Sequence, residues 1–270
     1  MPLEFPSRTQ IDGRTATADN LAPLAFAGFA HFTAMQLRGG RVRGLDLHLA
    51  RLRSASVAFF GQAMPDDLVR SHLRHALAGG PADLSLTATM FSRRGEFTPL
   101  GAGDDPAILV RTAPPSDGPA GPLRLMAVPH ERPLVGIKHV GEAAKTFYLR
   151  QAVARGFDDA AFVDHRGHLS EATIWNLAFW DGETVIWPDA AVLPGITMQI
   201  LRRQLDAMGV PQRSEPVSLD RLQSLTGAVV MNSWTPGITV SAIGAVDLPG
   251  SASLVELLHH AYGNEPASAP

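Results

Sequence analysis

The sequence predicts a two-domain α+β protein, and three observations support that fold class. A stretch rich in proline, glycine and small residues, 112–122, has no apolar period and breaks the chain. Helical and strand patterns occur on both sides of it. Hydrophobic residues make up 45% of the 270 residues, enough for a core in each part. We therefore expect a small N-terminal domain over 1–113, a linker over 114–121 and a larger domain over 122–270.

The N-terminal part combines a hairpin, two helices and two further strands. Apolar and polar residues alternate on both sides of the turn-forming pair Gly39-Gly40, which predicts a hairpin. Residues 46–57 place leucines on one helical face, with Asp46 as the expected N-cap. The remaining predicted elements are a helix over 66–78 and strands over 84–91 and 107–111.

The C-terminal part reads as short strands with helices between them, which is typical of a barrel or a sandwich. A turn over 165–168 separates two of the strands. We expect disorder after Gly263. The predicted strands are 123–128, 160–163, 174–180, 184–187, 228–231 and 238–243, and the predicted helices are 142–155, 197–208 and 253–262.

Composition excludes several function classes. The 23 basic and 26 acidic residues give a formal net charge of −3, so no nucleic-acid partner is expected. The absence of cysteine excludes disulfides, thiolate nucleophiles and cysteine-ligated metals. No apolar run reaches the ~18 residues of a membrane span, and residues 1–9 carry charge and two prolines where a signal peptide is apolar. We expect a cytoplasmic protein without a metal site.

Only two lysines occur, Lys138 and Lys145, and all other basic side chains except histidine are arginine. A guanidinium stays protonated and cannot form an imine, so a retained lysine is a candidate for chemistry. Compositional drift is the alternative explanation. Lys138 lies in an apolar setting that would partly desolvate an amine, whereas Lys145 follows Glu142 by three residues, where a surface ion pair explains it.

Three further segments suit a phosphorylated cofactor. The run 193–197 leads into a helix whose first amides could bind an anion, although an ordinary loop with a threonine cap is the commoner reason for such a run. Glu171 stands among apolar residues, where a carboxylate needs a partner. Arg51 could clamp a phosphate, or it could be a surface arginine. Lysine, carboxylate, helix end and arginine together are the groups that pyridoxal 5′-phosphate (PLP) requires.

These motifs resemble those of the class IV aminotransferase family of fold-type IV PLP enzymes. That family includes branched-chain aminotransferases, D-amino acid transaminases and 4-amino-4-deoxychorismate lyase. The matching segments are His48-Leu-Ala-Arg-Leu52, Gly136-Ile-Lys-His139, Leu169-Ser-Glu-Ala-Thr-Ile-Trp-Asn-Leu-Ala-Phe179 and Leu193-Pro-Gly-Ile-Thr197. The resemblance implies a small α/β N-terminal domain, a barrel-like C-terminal domain, and a homodimer with sites at the interface of the two domains and the neighbouring subunit.

The resemblance also implies a role for each matching residue. Lys138 carries the Schiff base, because its spacing to the later motifs fits the family and that of Lys145 does not. Glu171 contacts the pyridine nitrogen, and Asn176 supports the site. Phosphate is bound by Arg51 and by the cup of Leu193, Ile196 and Thr197.

Two departures from the family pattern concern the cofactor. In the second phosphate segment, Trp234 replaces a threonine; its backbone amide could still bind phosphate, and Ser233 or Thr235 could supply a hydroxyl. The tyrosine that bonds the cofactor's phenolic oxygen in branched-chain enzymes is replaced by Ala143. A polar substrate-facing segment is also replaced by the apolar run 21–31.

Three functions remain open from the sequence. The first is a PLP-dependent aminotransferase that uses an amino acid or amine and a keto-acid acceptor. The second is a lyase that eliminates pyruvate, favoured by Gly136–His139 and Asn232–Pro236, with Arg93 and Arg94 as carboxylate anchors or as surface residues. The third is a non-catalytic binding protein that retains the fold.

Overall fold

A computed structural model describes residues 7–25, 27–97 and 105–270. The chain forms two compact units. Unit 1 contains Met1–Ser116, Ile137–Glu142 and Pro266–Pro270, and unit 2 contains Asp117–Gly136 and Ala143–Glu265. Lys138 therefore belongs to unit 1, although it follows the predicted linker. Residues 1–6, part of the segment 1–9 compared above with a signal peptide, lie outside the described residues. So does Phe26 of the apolar run 21–31.

Unit 1 is built on a five-stranded antiparallel sheet. Its main elements are β1 (Thr9–Ile11), β2 (Arg14–Thr15), α1 (Ala18–Leu21), β3 (Ala30–Leu37), β4 (Val42–Arg43), α2 (Leu45–Phe60), α3 (Asp66–Leu77), β5 (Leu84–Phe91) and β6 (Ala107–Ala113). The strand order in the sheet is β2-β1-β6-β5-β3. Apolar side chains of α2 and α3 pack with those of β3, β5 and β6 in one core, which confirms the α+β prediction for this part.

Helix α2 begins at a glycine and not at the predicted cap. Gly44 is the N-cap residue with φ 67° and no side-chain cap bond, and Asp46 lies inside the first turn. Glycine adopts this left-handed conformation without a Cβ clash. The prediction of Asp46 as the N-cap is therefore wrong. Gly39 and Gly40 do form the predicted tight turn, with φ 58° and 71°.

Unit 2 is a β-barrel with helices packed outside it. Its elements are β7 (Leu123–Pro129), α4 (Ala143–Ala154), β8 (Asp159–Val163), β9 (Leu169–Ala172), β10 (Asn176–Trp180), β11 (Val185–Pro188), α5 (Ile196–Ala207), β12 (Gln212–Glu215), α6 (Leu219–Leu222), β13 (Gly227–Met231), β14 (Ile238–Ile243), β15 (Val246–Asp247) and α7 (Ala252–Asn264). Strands β10, β13, β14, β7, β8 and β9 pair in succession, and β9 pairs back with β10. Six strands thus close on themselves, as the barrel prediction requires.

Alternate residues of the barrel strands face opposite sides. On β10, Leu177 and Phe179 join a core cluster drawn from all six barrel strands. Ala178 instead packs in a cluster with side chains of α5 and α7. Asn176 has the same parity as Ala178, so it projects from the outer face of the barrel.

The C-terminal residues are ordered against unit 1. Strand β16 (Ala267–Ser268) pairs antiparallel with β4, and Arg74 donates a hydrogen bond to the carbonyl of Pro270 at 3.2 Å. The prediction of disorder after Gly263 is therefore wrong. Local sequence could not reveal this order, because the pairing joins segments more than 200 residues apart. Within the described ranges, no helix is long and apolar enough to cross a bilayer. Nor do the residues in those ranges form a cluster of three or more acidic or histidine side chains suited to a metal ion.

Candidate active site

Glu171 and Asn176 lie opposite each other on two barrel strands of unit 2. They form a direct antiparallel pair between β9 and β10, and side chains of directly paired residues project from the same face. Both residues are buried, with 2% and 6% of their surface exposed. The structure therefore brings together the predicted cofactor carboxylate and the predicted supporting amide.

Asn176 also holds the loop that precedes α5. Its side-chain amide donates to the carbonyl of Leu193 at 2.8 Å. A Cβ atom on Gly195 would fall 1.9 Å from Oδ1 of Asn176. Because Gly195 has an ordinary φ of −61°, this close approach is the reason that position 195 requires glycine. One asparagine thus fixes the start of α5 next to the strand that pairs with β9.

The N-terminus of α5 has the form of an anion site. Gly195 is its N-cap residue and supplies no side-chain cap bond, and Ile196 and Thr197 are buried. The first N–H groups of a helix have no intrahelical acceptor, and this end carries a partial positive charge. A phosphate group suits such an arrangement.

The segment around Trp234 forms a turn that is tied to α5. The backbone N–H of Trp234 donates to Oδ1 of Asn232 at 2.8 Å, inside its own turn. The hydroxyl of Thr197 donates to the carbonyl of Asn232 at 2.7 Å. Ser233, in the same turn, is half-buried. The Trp234 amide thus bonds within its own turn, and Asn232 ties this turn to α5. A contact of Trp234 or Ser233 with phosphate stays a prediction.

Lys145 is not the surface cation that its spacing from Glu142 suggests. Its side chain is 12% exposed, and its Nζ lies 3.8 Å from Oε1 of Glu171. Nε of Arg132 lies 3.7 Å from the same oxygen, with a side chain that is 2% exposed. The barrel brings Glu171 to this helix, a contact that the spacing from Glu142 does not reveal. Arg132 and Lys145 are thus neighbours of Glu171 that the sequence did not identify.

A buried carboxylate supports the strand that carries Glu171. Asp159 accepts hydrogen bonds from the Thr173 hydroxyl at 2.6 Å, the Trp175 indole at 2.8 Å and the Ala160 backbone amide at 2.7 Å. Burial raises the pKa of Asp159, although these hydrogen bonds act in the opposite direction. These hydrogen bonds hold the connection between β9 and β10, which contains Thr173 and Trp175, against Asp159 on β8.

Unit 1 holds the second group of predicted residues. Arg51 donates to the hydroxyl of Thr33, whose Oγ1 lies 2.6 Å from Nδ1 of His48. His48 and Arg51 are one turn apart on α2 and so share a face. Burial, followed by the charge of Arg51, lowers the pKa of His48 well below its usual value. His48 is therefore neutral, and Arg51 is the positively charged member of the group formed by Thr33, His48 and Arg51.

A second buried histidine lies on β3. Nε2 of His31 lies 3.0 Å from the Ser56 hydroxyl, and its ring packs against Phe59 and Phe60. Burial and then the charge of Arg51 lower the pKa of His31 to about 3. His31 is therefore neutral in the folded protein near neutral pH.

Lys138 lies in a segment that extends the sheet of unit 1. The backbone N–H of Phe32 donates to the Lys138 carbonyl at 2.8 Å, and that of Val140 donates to the Ala30 carbonyl at 2.9 Å. Nζ of Lys138 lies 5.0 Å from the centroid of the Phe32 ring. Beside it, His139 and Glu142 form a buried pair at 3.1 Å. The backbone pairing fixes the position of the lysine relative to β3.

Only weak signals in the sequence could have found the missed residues. Asp159 lies between Gly156, which ends a helix, and the strand β8. In the sequence this position indicates the boundary of an element and not a residue that accepts several hydrogen bonds. Arg132 is one of many arginines. For Lys145, its rarity was the useful signal, and the proximity of Glu142 outweighed it.

Comparisons with known proteins agree with this fold. The profile of the amino-transferase class IV family matches residues 30–243. A probable branched-chain-amino-acid aminotransferase of Rickettsia felis is 31% identical over 100 residues, which are 37% of this chain and 33% of that protein. The match therefore spans about a third of the length of that relative.

Two solved structures show the same fold. The branched-chain aminotransferase of the archaeon Thermoproteus uzoniensis, solved with norvaline, has a TM-score of 0.79 at 18% identity and covers 94% of this chain and 93% of its own. The branched-chain amino acid aminotransferase of Escherichia coli has a TM-score of 0.81 at 15% identity, covering 94% and 92%. Because the family profile spans most of the sequence, the chain belongs to the class IV aminotransferase family.

Proposed function

We propose that this protein is a PLP-dependent aminotransferase that acts on an amino acid or an amine with a keto-acid acceptor. The observation that carries the proposal is the double role of Asn176. It pairs with Glu171 across β9 and β10, and it holds the loop that presents the uncapped end of α5. A carboxylate and an anion site are thereby supported by one residue, which is the arrangement that a phosphorylated pyridine requires.

The residues present fit PLP. The Glu171 carboxylate suits a protonated ring nitrogen, the amides of Ile196 and Thr197 suit a phosphate, and Arg51 provides a matching cation. Lys138 has the amine that binds the aldehyde carbon. When bound, PLP supplies that aldehyde for the capture of amines and an electron-withdrawing ring.

The chain's own residues then have distinct tasks. Once the substrate amine has displaced it from the aldehyde carbon, Nζ of Lys138 would remove the proton from the α-carbon of the bound amine and later return a proton, as a general base and acid. The aromatic ring of Phe32 near this amine limits its contact with bulk water. Glu171 keeps a proton on the ring nitrogen. A homodimer, which the family resemblance implies, belongs to the same proposal, and so does the cytoplasmic location expected from the sequence.

The second candidate is a pyruvate-eliminating lyase. The segments Gly136–His139 and Asn232–Pro236 favour it, since both are closer to the lyase than to the branched-chain enzymes. Of its two candidate carboxylate anchors, Arg93 and Arg94, Arg93 forms an ion pair with Asp12 and has a side chain that is 48% exposed, which agrees with the alternative of a surface residue. The aminotransferase therefore remains the better-supported function.

The purified protein, supplied with PLP, should develop the visible absorption band of a lysine-bound cofactor. Single amino acids and amines should then abolish that band, and a keto acid should restore it. Release of pyruvate and ammonia without a keto acid would favour the lyase. Cofactor uptake without any turnover would favour the non-catalytic binding protein. A protein that develops no band with PLP would contradict the proposal.

A further inference from the structure

Asp159 is a buried carboxylate of unit 2 that has no task in the proposed function. It begins β8, and only 3% of its surface is exposed. Its Oδ1 atom accepts from the Thr173 hydroxyl and the Ala160 amide, and its Oδ2 atom accepts from the Trp175 indole. Both carboxylate oxygens therefore bond to donors, and two of the three donors belong to the connection between β9 and β10.

That connection is short and mostly buried. It consists of residues 173–175, and the backbone N–H of Ala172 donates to the Trp175 carbonyl across it at 2.9 Å. Thr173 and Trp175 are 0% and 4% exposed. Trp175 directly precedes Asn176, whose side chain contacts the loop before α5. The orientation of Trp175 therefore affects the residue that holds this loop.

Trp175 also packs against the turn that contains Trp234. The two rings meet edge to face, with centroids 5.6 Å apart and an interplanar angle of 74°, an arrangement that aromatic pairs favour. In the same turn, the Trp234 amide donates to Asn232, and the Asn232 carbonyl accepts from the Thr197 hydroxyl. The indole that Asp159 holds thus contacts a second segment that is bonded to the first turn of α5.

We propose that Asp159 is a positioning residue for the anion site at the start of α5. It acts through Trp175 by two routes, one along the chain to Asn176 and one across the ring contact to Trp234 and Asn232. That the anion is the phosphate of PLP rests on the proposed function. A carboxylate suits this position because indole and backbone N–H groups can only donate, and an ionised carboxylate only accepts.

Asp159→Asn separates this role from simple burial, because asparagine has a similar shape but only one accepting side-chain atom. With its oxygen towards Thr173 and Ala160, its amide nitrogen faces the indole N–H of Trp175, donor against donor. The substitution should lower the affinity for PLP by roughly 2- to 30-fold. Trp175→Phe keeps a ring and removes the donor. Asp159→Asn should therefore have a smaller effect in a Trp175→Phe background, because residues of one hydrogen-bond network are coupled.

Further variants distinguish positioning from a general loss of stability. Thr173→Val should also weaken PLP binding, whereas Thr173→Ser keeps the hydroxyl and should restore most of the affinity. Val185→Ala is the matched control, since Val185 is fully buried and pairs with Trp180 at the far end of β10 from Asn176. The cavity should lower the unfolding midpoint and leave the PLP affinity unchanged. Pyridoxal, which has no phosphate, should bind Asp159→Asn and the wild type almost equally.

Hydrogen exchange of the unliganded proteins tests the same role without the cofactor. In Asp159→Asn, peptides covering 193–197 and 232–235 should exchange faster than in the wild type, and Val185→Ala should show no increase confined to them. Unchanged exchange in both peptides, wild-type PLP affinity of Asp159→Asn, or an equal loss of affinity for pyridoxal would each overturn the inference and leave the proposed function standing. A wild type that takes up no PLP would contradict the proposed function, and the exchange of these two peptides would still support or overturn the role of Asp159.

Discussion

The side-chain oxygen of Asn176 occupies the space that a Cβ atom on Gly195 would need, at a separation of 1.9 Å. The amide nitrogen of the same side chain donates to the Leu193 carbonyl. Asn176 therefore contacts the loop at two points, through a hydrogen bond to Leu193 and through close packing against Gly195. The position of the α5 amides depends on this contact, and so does any anion they bind.

Gly195→Ala should weaken PLP binding and destabilise unit 2. The added methyl group must displace Asn176 or shift the loop, and overpacking of this kind costs about 1–3 kcal/mol. All four tryptophans lie in unit 2, so denaturant unfolding followed by tryptophan fluorescence reports on it. We expect a lower unfolding midpoint together with a lower PLP affinity.

Gly263→Ala is the matched control for that substitution. Gly263 lies in α7 with nothing within 4 Å of its added Cβ atom, and alanine is favoured over glycine in a helix by up to about 1 kcal/mol. Its stability should be unchanged or slightly higher, with wild-type PLP affinity. Equal behaviour of the two alanine variants would show that the Asn176 contact does not position the loop.

Arg51→Met should weaken PLP binding roughly 10- to 100-fold, because a charge-assisted contact with phosphate is lost. Pyridoxal, which has no phosphate, should bind the variant and the wild type equally. Arg53→Met is the control, since Arg53 lies on the same helix with a side chain that is 51% exposed and pairs with Asp66. An equal loss of affinity for pyridoxal would argue against Arg51 as a phosphate ligand.

The buried His31 should make unit 1 less stable in mild acid. Its pKa is about 3 in the folded chain against 6.5 when exposed, through burial first and the Arg51 charge second. Between these values the unfolded chain binds a proton that the folded chain does not. The stabilisation is therefore complete above about pH 6.5 and is lost as the pH falls, with a slope of about 1 kcal/mol per pH unit between pH 6 and 5.

His31→Gln removes this titration and should flatten that dependence. Hydrogen exchange of peptides from β3 and α2, corrected for intrinsic rates, measures the opening free energy of this part of unit 1. The wild type and the variant should diverge in slope by about 1 kcal/mol per pH unit. Parallel profiles would mean that His31 does not titrate differently on folding. His48 is present in both proteins, so its contribution cancels.

Local patterns predicted most of the longer helices and strands, but not the short strands β1, β2, β9 and β15. The strands Leu84–Phe91 and Ile238–Ile243 have the predicted bounds, because each alternates apolar with small polar residues and has turn residues on both sides. Strand β12 has no such signal, since its four residues are polar or charged and its pairing depends on β11. Strand β16 was missed for a similar reason: its partner β4 is remote in the sequence.

The candidate site was predictable where a motif gives a residue its role, and not where tertiary contact does. Glu171 and Asn176 were assigned through the resemblance to the family motif, and the structure pairs them across two strands. The contact between Asn176 and Gly195 has no sequence signal. Lys145 shows the limit most clearly, because its contact with Glu171 joins residues that are 26 positions apart in the sequence. Contacts that depend on closure of the barrel cannot be read from helical spacing.

The most direct test of the central claim is borohydride reduction of the PLP-loaded protein, followed by tryptic peptide mapping. Trypsin does not cleave after a modified lysine, so a label on Lys138 leaves the bond to His139 intact, and a label on Lys145 leaves the bond to Thr146 intact. We predict the label on Lys138 alone. A label on Lys145, or bound PLP that reduction attaches to neither lysine, would contradict the account.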